Sequence, residues 1–262
     1  MSRRPISRWP GRMLWLTLLF SFSPAVLSPS ANSFREQQLK FPRVRTASRE
    51  KDEALRQRFK EKGLTYPPRA ILLRAFKQEA VLELWVKDTD NKPFVLVHEY
   101  RICTSSGTLG PKRRFGDEQV PEGFYELDWF NPQSNFFLSL HISYPNASDR
   151  ILGSRQNPGG DIFLHGNCAS IGCIPITDDG IKEVYWLAAL VHNQHDQHLP
   201  IEIFPARLTR DGMKALAAAH ANQPELIKFW SNLKEGYDYF EKEHRLPRVK
   251  TRADGSYVFS VM

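Results

Sequence analysis

Phe163-Leu164-His165-Gly166-Asn167-Cys168-Ala169-Ser170-Ile171-Gly172-Cys173-Ile174 is the stretch on which the reading of this 262-residue chain turns. An apolar run delivers a histidine, a short glycine-bearing loop follows, and a cysteine is reached just ahead of Thr177-Asp178-Asp179. The thiolate is the attacking form of cysteine, and an ordinary thiol is mostly protonated near neutrality. A nucleophilic cysteine therefore needs a neighbouring base, and His165 suits that role for Cys173 by type and spacing. Gly172 allows the backbone turn that aims amides at a developing oxyanion. Spacing alone leaves two further readings open. His165, Cys168 and Cys173 form a set for zinc, with a fourth ligand from His192, His195 or His198. Alternatively the histidine is structural and the cysteine a small core residue. The three later histidines lie among Asn, Gln and Asp, and read as a solvated helix end.

Outward from this stretch, β-branched and aromatic runs mark strands over 70–76, 80–86, 94–102, 123–129, 136–142 and 161–165. Asp88-Thr89-Asp90-Asn91 supplies turn chemistry between the second and third. Thr177 is an N-cap residue, and Asp178 and Asp179 place negative charge where a helix dipole favours it. Ile181, Val184, Ala188 and Val191 then recur on one helical face, and 200–204 closes as a strand. Residues 209–220 and 225–243 read as two helices, the second aromatic and expected to pack on the β domain. Charged residues over 48–63, with Leu55 and Phe59, suggest a short surface helix. The fold class expected is mainly β with α (α+β): a β-sandwich or barrel holding one core helix, with a C-terminal helical extension.

Arg3, Arg4, Arg8 and Arg12 precede an apolar run over 13–27 and a small polar stretch, Ser28-Pro29-Ser30-Ala31. That is the layout of a secretory signal, and the run is short for a membrane span of roughly twenty residues. The domain reading is a signal peptide over 1–31, a linker with a short helix over 32–67, a catalytic domain over 68–205 and the helical extension over 206–262. Losing the four arginines lowers the formal charge from +7 to +3. The remaining basic residues are scattered among acids without a stripe, so nucleic-acid binding is not supported. No nucleotide loop or hydride-cofactor fingerprint is present, and no cofactor or structural metal is expected. A papain-like enzyme places cysteine before histidine, the reverse of the order here. Three cysteines in an oxidising compartment leave one thiol without a partner inside the chain.

The segment resembles the active-site signature of the YkuD-type L,D-transpeptidase family, a His-Gly, a variable loop, then Ser/Thr-x-Gly-Cys. His165-Gly166 and Ser170-Ile171-Gly172-Cys173 fill those positions. Three departures stand out: Ile171 replaces a second histidine, the loop is shorter, and Pro175 replaces an arginine. The short loop and Ser-Ile-Gly-Cys form resemble the YafK/DpaA branch. So do Gly110-Pro111-Lys112-Arg113-Arg114 with Gly116-Asp117, Pro121-Glu122-Gly123-Phe124-Tyr125, Tyr144-Pro145-Asn146 with Asp149-Arg150, and Leu233-Lys234-Glu235-Gly236-Tyr237. The resemblance covers residues 68–258.

What it implies is a thioester mechanism on peptidoglycan stem peptides in the periplasm. Cys173 would attack at the L-centre of meso-diaminopimelate and His165 would act as base, then acid. The Gly166 carbonyl would orient the imidazole, and the Gly172 and Cys173 amides would hold the oxyanion. The branch implies hydrolysis of a Braun-type lipoprotein from peptidoglycan, with that outer-membrane lipoprotein as partner. The alternative is cross-linking transpeptidation, and outside enzymology a wall-binding module. Arg114, with its neighbours Lys112 and Arg113, is the candidate for stem-peptide carboxylates; Tyr144, Phe115 and Ser170 are candidates for the donor groove. A Cys103–Cys168 disulfide would use both spare thiols and leave Cys173 free; two unpaired thiols are the alternative.

Overall fold

In a computed structural model of the chain, the described residues are Met1, 33–195 and 199–261, so the signal-peptide expectation over 1–31 lies, Met1 apart, outside them. Two helices come first, α1 (Phe34–Gln38) and α2 (Pro42–Glu61). Strands β1 (Ala70–Phe76), β2 (Val81–Lys87), β3 (Val95–Arg101), β4 (Gly123–Asn131) and β5 (Ser139–Ile142) follow. After α3 (Ala147–Leu152) come β6 (Phe163–His165) and β7 (Ile174–Pro175), then α4 (Thr177–His195) and β8 (Leu199–Phe204). The chain continues through α5 (Arg210–Ala219) and α6 (Pro224–Glu243) to the hairpin β9 (Arg248–Thr251) and β10 (Tyr257–Ser260).

Eight strands form one sheet in the order β3-β2-β1-β8-β4-β5-β6-β7. The pairing is antiparallel except for β1 with β8 and β6 with β7, so the expected mixed α+β class is what is found. Alternation along the strands gives each sheet face its own burial. Ile71, Leu73 and Ala75 of β1 join Val184, Leu187, Ala188 and Val191 of α4 in the main core. Phe76 and Phe204 point the other way, to Trp230, Leu233 and Tyr237 of α6. Arg74, fully buried on that second face, reaches Glu202 of β8 at 2.9 Å and Glu241 of α6 at 2.7 Å. The aromatic helix thus packs on the β sheet, as its apolar residues led one to expect.

The helix expected over 48–63 begins at Pro42 and is not a surface helix. Val44, Ala47, Leu55 and Phe59 are buried in the main core with α4. Asp52 accepts from the Tyr66 hydroxyl and the Trp186 indole, both at 2.7 Å. Only four of its twenty residues are buried, so charge masks the apolar stripe in sequence. His192 is a second correction. Its ring packs against Phe34 at 4.4 Å and Phe130 at 5.5 Å rather than joining a solvated face. The side chain of His195 and all of His198 lie outside the described residues.

Candidate active site

The sheet register sets where each site residue points. Phe130 pairs with Leu140, Leu140 with Leu164, and Leu164 with Ile174, a row across β4, β5, β6 and β7 that lies wholly in the main core. Because strand residues alternate between faces, the neighbouring rows face the other way. One runs Asn131, Ser139, His165, Pro175. The other runs Trp129, His141, Phe163, and Cys173 falls in line with it, one residue ahead of Ile174. His165 thus ends β6 beside Pro175, and Cys173 lies in the bend that leads directly into β7, the strand paired with β6.

His165 is almost fully buried. Its Nδ1 is 2.5 Å from the Gly166 carbonyl, the partner expected for it. A carbonyl can only accept, so Nδ1 carries the proton and Nε2 is the basic nitrogen of the neutral ring. Phe136 stacks on the imidazole at 4.5 Å. Burial pushes the His165 pKa down, and the Gly166 carbonyl acts in the opposite direction. Gly166 is required by close approach: a Cβ there would meet Asp178 Oδ1 at 2.5 Å and the Phe136 carbonyl at 2.7 Å. Asp178 occupies that space because it accepts from the Asn167 amide at 2.8 Å, tying the loop after His165 to the start of α4. Thr177 caps that start through its hydroxyl, 3.3 Å from the Gly180 amide.

Cys173 is half-buried, and its sulfur lies 3.7 Å from the Asp161 carbonyl in this conformation. Burial pushes the thiol pKa up. The Phe163 backbone amide lowers it, Asp161 raises it and the Lys112 ammonium lowers it. Both shifts favour the neutral thiol and the neutral imidazole at rest. Gly172 has φ +125°, and a Cβ on it would lie 3.1 Å from the Gln119 carbonyl, so glycine is required there too.

Ser170 builds this turn. Its hydroxyl donates to the Cys173 carbonyl at 2.8 Å, lies 3.2 Å from the Ser106 hydroxyl, and accepts from the Gly172 amide at 3.2 Å. The oxygen expected to meet substrate is thus engaged by the protein, and so is one of the two amides expected to face an oxyanion. Tyr144 is similarly occupied: it is buried, and its hydroxyl donates to Pro158 O at 2.9 Å and Lys112 O at 3.3 Å. Lys112 is held by Asp117 at 2.6 Å, and Arg113 by Asp149 at 3.2 Å. Arg114 and Phe115 remain exposed.

Cys103 and Cys168 form a disulfide with Cα atoms 5.6 Å apart, clipping the loop between His165 and Cys173 to the end of β3. Cys168 is thereby removed from the zinc set that the spacing had left open. Among the described residues no group of three or more His, Cys, Asp or Glu is placed to hold a metal. No helix among them is long and apolar enough to cross a membrane. Phe136, Asp161 and Phe163 are neighbours of the pair that sequence reasoning missed. A strand pattern marks such residues as strand or turn, but it cannot show which cross-strand partner they meet.

Residues 75–193 match the YkuD family, described as the L,D-transpeptidase catalytic domain. The chain is 37% identical over 194 residues to "Putative L,D-transpeptidase YafK" of Escherichia coli K12, covering 72% of this chain and 74% of the relative. The protein of the same name from Escherichia coli O157:H7 matches with the same figures. Among solved structures, the helical cell shape determining protein Pgp2 of Campylobacter jejuni is 17% identical, covering 70% of this chain and 73% of that one, with a TM-score of 0.41. Bd1075 of Bdellovibrio bacteriovorus is 21% identical, covering 52% and 47%, with a TM-score of 0.36. On the extent and identity of the sequence match, the chain belongs to the YkuD L,D-transpeptidase family, enzymes that act on peptidoglycan stem peptides.

Proposed function

We propose that this protein is an exported, periplasmic cysteine enzyme that cleaves at the L-centre of meso-diaminopimelate and releases a Braun-type lipoprotein from peptidoglycan. The observation that supports this reading is His165 at the end of β6 with its Nδ1 held by the Gly166 carbonyl, beside β7, the strand that Cys173 immediately precedes. Nε2 is then left to take the thiol proton. The thiolate attacks the carbonyl carbon, and the tetrahedral oxyanion is received by the Cys173 amide. The Gly172 amide joins it by exchanging its 3.2 Å bond to Ser170 Oγ for a stronger charge-assisted one. Collapse expels the leaving amine, to which the imidazolium returns its proton, and leaves a thioester on Cys173. Water, deprotonated by His165, then attacks the thioester and regenerates the thiol.

Water is favoured over an amine acceptor by Ile171. It replaces the second histidine of the family signature and is 79% exposed beside the reacting turn. An exposed aliphatic side chain cannot take a proton from an incoming amine. The other reading, transpeptidation, is favoured by the name of the Escherichia coli relatives.

The test is to incubate the protein lacking residues 1–31, beside Cys173→Ala, with sacculi that still carry lipoprotein. Cysteine-dependent release without new cross-links supports the hydrolase. New cross-links or newly attached peptide would make it a transpeptidase, and no change with either protein would favour a wall-binding module.

A further inference from the structure

The row that leads toward Cys173 is aromatic, with Trp129 exposed at its far end and His141 and Phe163 half-buried. Trp129 of β4 is 55% exposed, an uncommon position for tryptophan on a sheet face. Its ring is 6.4 Å from His141 of β5 and 5.9 Å from Phe163 of β6, and His141 and Phe163 are 5.1 Å apart. Phe163 in turn stands beside the thiol, whose sulfur feels its backbone amide. On the other half of this sheet face the side chains are covered by α6, as Phe76 and Phe204 are. Next to the ledge is a polar rim: Asp128, 42% exposed, accepts from or pairs with His141 Nδ1 at 2.6 Å.

We propose that Trp129, His141 and Phe163 form a platform for an amino-sugar ring of the glycan strand, with Asp128 accepting from its hydroxyl or N-acetyl groups. Sugar rings present a face of C–H groups that packs on the electron-rich face of an aromatic ring. The span fits. From β4 to β7 are three strand spacings, about 14 Å. Between the L-centre carbonyl of diaminopimelate and the lactyl group of the muramyl sugar lie three residues, one of them γ-linked. That is about 13 Å when extended. A stem peptide reacting at Cys173 and lying along the row would thus bring its own sugar over Trp129. This rests on the reading of Cys173 as the reacting centre, and it adds a recognition element that the peptide chemistry does not require.

The test uses two donors that differ only in the sugar: a disaccharide tetrapeptide and the same tetrapeptide without sugar. For Trp129→Ala, the ratio of kcat/KM for the sugar-bearing over the sugar-free donor should fall about tenfold, as loss of one aromatic contact predicts. Trp129→Phe should recover part of it. An unchanged ratio, with both donors weakened alike or neither affected, overturns the platform and makes the ledge a peptide surface or a bare one. A second measurement is independent of turnover. Calorimetric titration of the disaccharide tetrapeptide into Cys173→Ala should show tighter binding than the sugar-free peptide, and adding Trp129→Ala should abolish the difference. If the wild-type protein turns over neither donor, the free tetrapeptide does not replace the lipoprotein-bearing substrate of the reaction proposed above, which the sacculus experiment judges separately. The titration still decides the platform, which falls if sugar adds no affinity.

Discussion

Glu122 Oε2 accepts the Trp230 indole N–H at 2.7 Å, so a helix from the far end of the chain grips a carboxylate three residues from the carbonyl that presses on Gly172. The other oxygen of Glu122 accepts from Lys77 at 2.8 Å and from the Gly110 amide at 2.7 Å. Lys77 completes its three bonds with Gly110 O at 2.9 Å and Val120 O at 3.1 Å. Lys77 also lines, with Val120, Cys173 and Ile174, a small cavity behind the thiol. Every hydrogen-bonding group of this buried pair is engaged, the condition under which such a pair is tolerated.

Removing one side of that pair should be costly. Glu122→Ala leaves Lys77 charged and buried, and should destabilise the fold by about 3–5 kcal/mol. Trp230→Phe keeps an aromatic ring, though a smaller one, but leaves one carboxylate oxygen without its donor, for about 1–3 kcal/mol. Replacing both charges, as Lys77→Met with Glu122→Leu, should cost less than Glu122→Ala alone. Urea unfolding measures all three. A loss under about 0.5 kcal/mol for Trp230→Phe would mean that the indole bond contributes only packing.

The Cys103–Cys168 disulfide spans 65 residues and holds the loop between His165 and Cys173. Chain entropy alone gives it about 4 kcal/mol. Its second effect is local: Cys168 lies between Asn167, fixed by Asp178, and Ser170, which shapes the turn at Cys173. Cys103→Ser with Cys168→Ser should therefore lower stability by a few kcal/mol and also lower kcat at temperatures where the protein remains folded. Unfolding curves and steady-state rates at low temperature separate the two effects. Full activity in the folded double variant would reduce the bridge to a staple.

What was legible from sequence, and what was not, follows from the range of the forces involved. Strand β1 was expected over the residues it occupies because both of its faces are buried and only Arg74 breaks its apolar run. Helix α4 announced itself by its cap and apolar face. Helix α3 did not, since six residues capped by Asn146 are too short to show a period. The β9–β10 hairpin was missed for a similar reason: its strands have four residues each, bent at Asp254-Gly255. In the site, His165 and Cys173 stood out because their spacing is local. Tyr144 and Ser170 looked available to a ligand because a sequence does not reveal that Pro158 O, Lys112 O, Ser106 and Cys173 O already meet their hydroxyls. Whether a polar group is engaged within the protein is a property of packing.

The pH dependence of the proposed reaction follows from burial acting oppositely on His165 and Cys173. His165 is pushed down and Cys173 up, so neutral forms dominate between them. The acid limb of kcat/KM should report His165 below an ordinary histidine, near 6.5, so activity persists at mildly acid pH. Iodoacetamide labelling of free Cys173 should rise only above the ordinary thiol range, near 8.5. For stability the sign is set by proton uptake. Below about pH 6.5 the unfolded chain binds a proton at this histidine that the folded chain resists. The contribution of His165 is therefore present above that pH and is lost as pH falls toward the folded pKa. His165→Gln should flatten that part of the stability profile. A labelling inflection near or below neutrality would instead indicate a resting thiolate–imidazolium pair.

Ile171 provides the sharpest test of reaction outcome because its side chain can be changed without disturbing the core. It is 79% exposed, while its neighbours Ser170 and Gly172 make the bonds and close contacts that shape the turn. Ile171→His should leave the unfolding midpoint within about 0.5 kcal/mol of the parent, as for other surface changes. In the proposed reaction it supplies an imidazole, next to the turn at Cys173, that can take a proton from an amine attacking the thioester. In that reaction the attack of water draws on His165 alone. With a muropeptide donor and an amine acceptor in excess, the variant should shift products from hydrolysis toward amide formation by severalfold, the lower range for an added general base. Total thioester formation, followed as a mass adduct on Cys173, should be unchanged, since acylation does not involve position 171. An unaltered product ratio would show that acceptor selection lies elsewhere on the surface around the thiol, and that the loss of the second histidine does not itself direct the enzyme toward water.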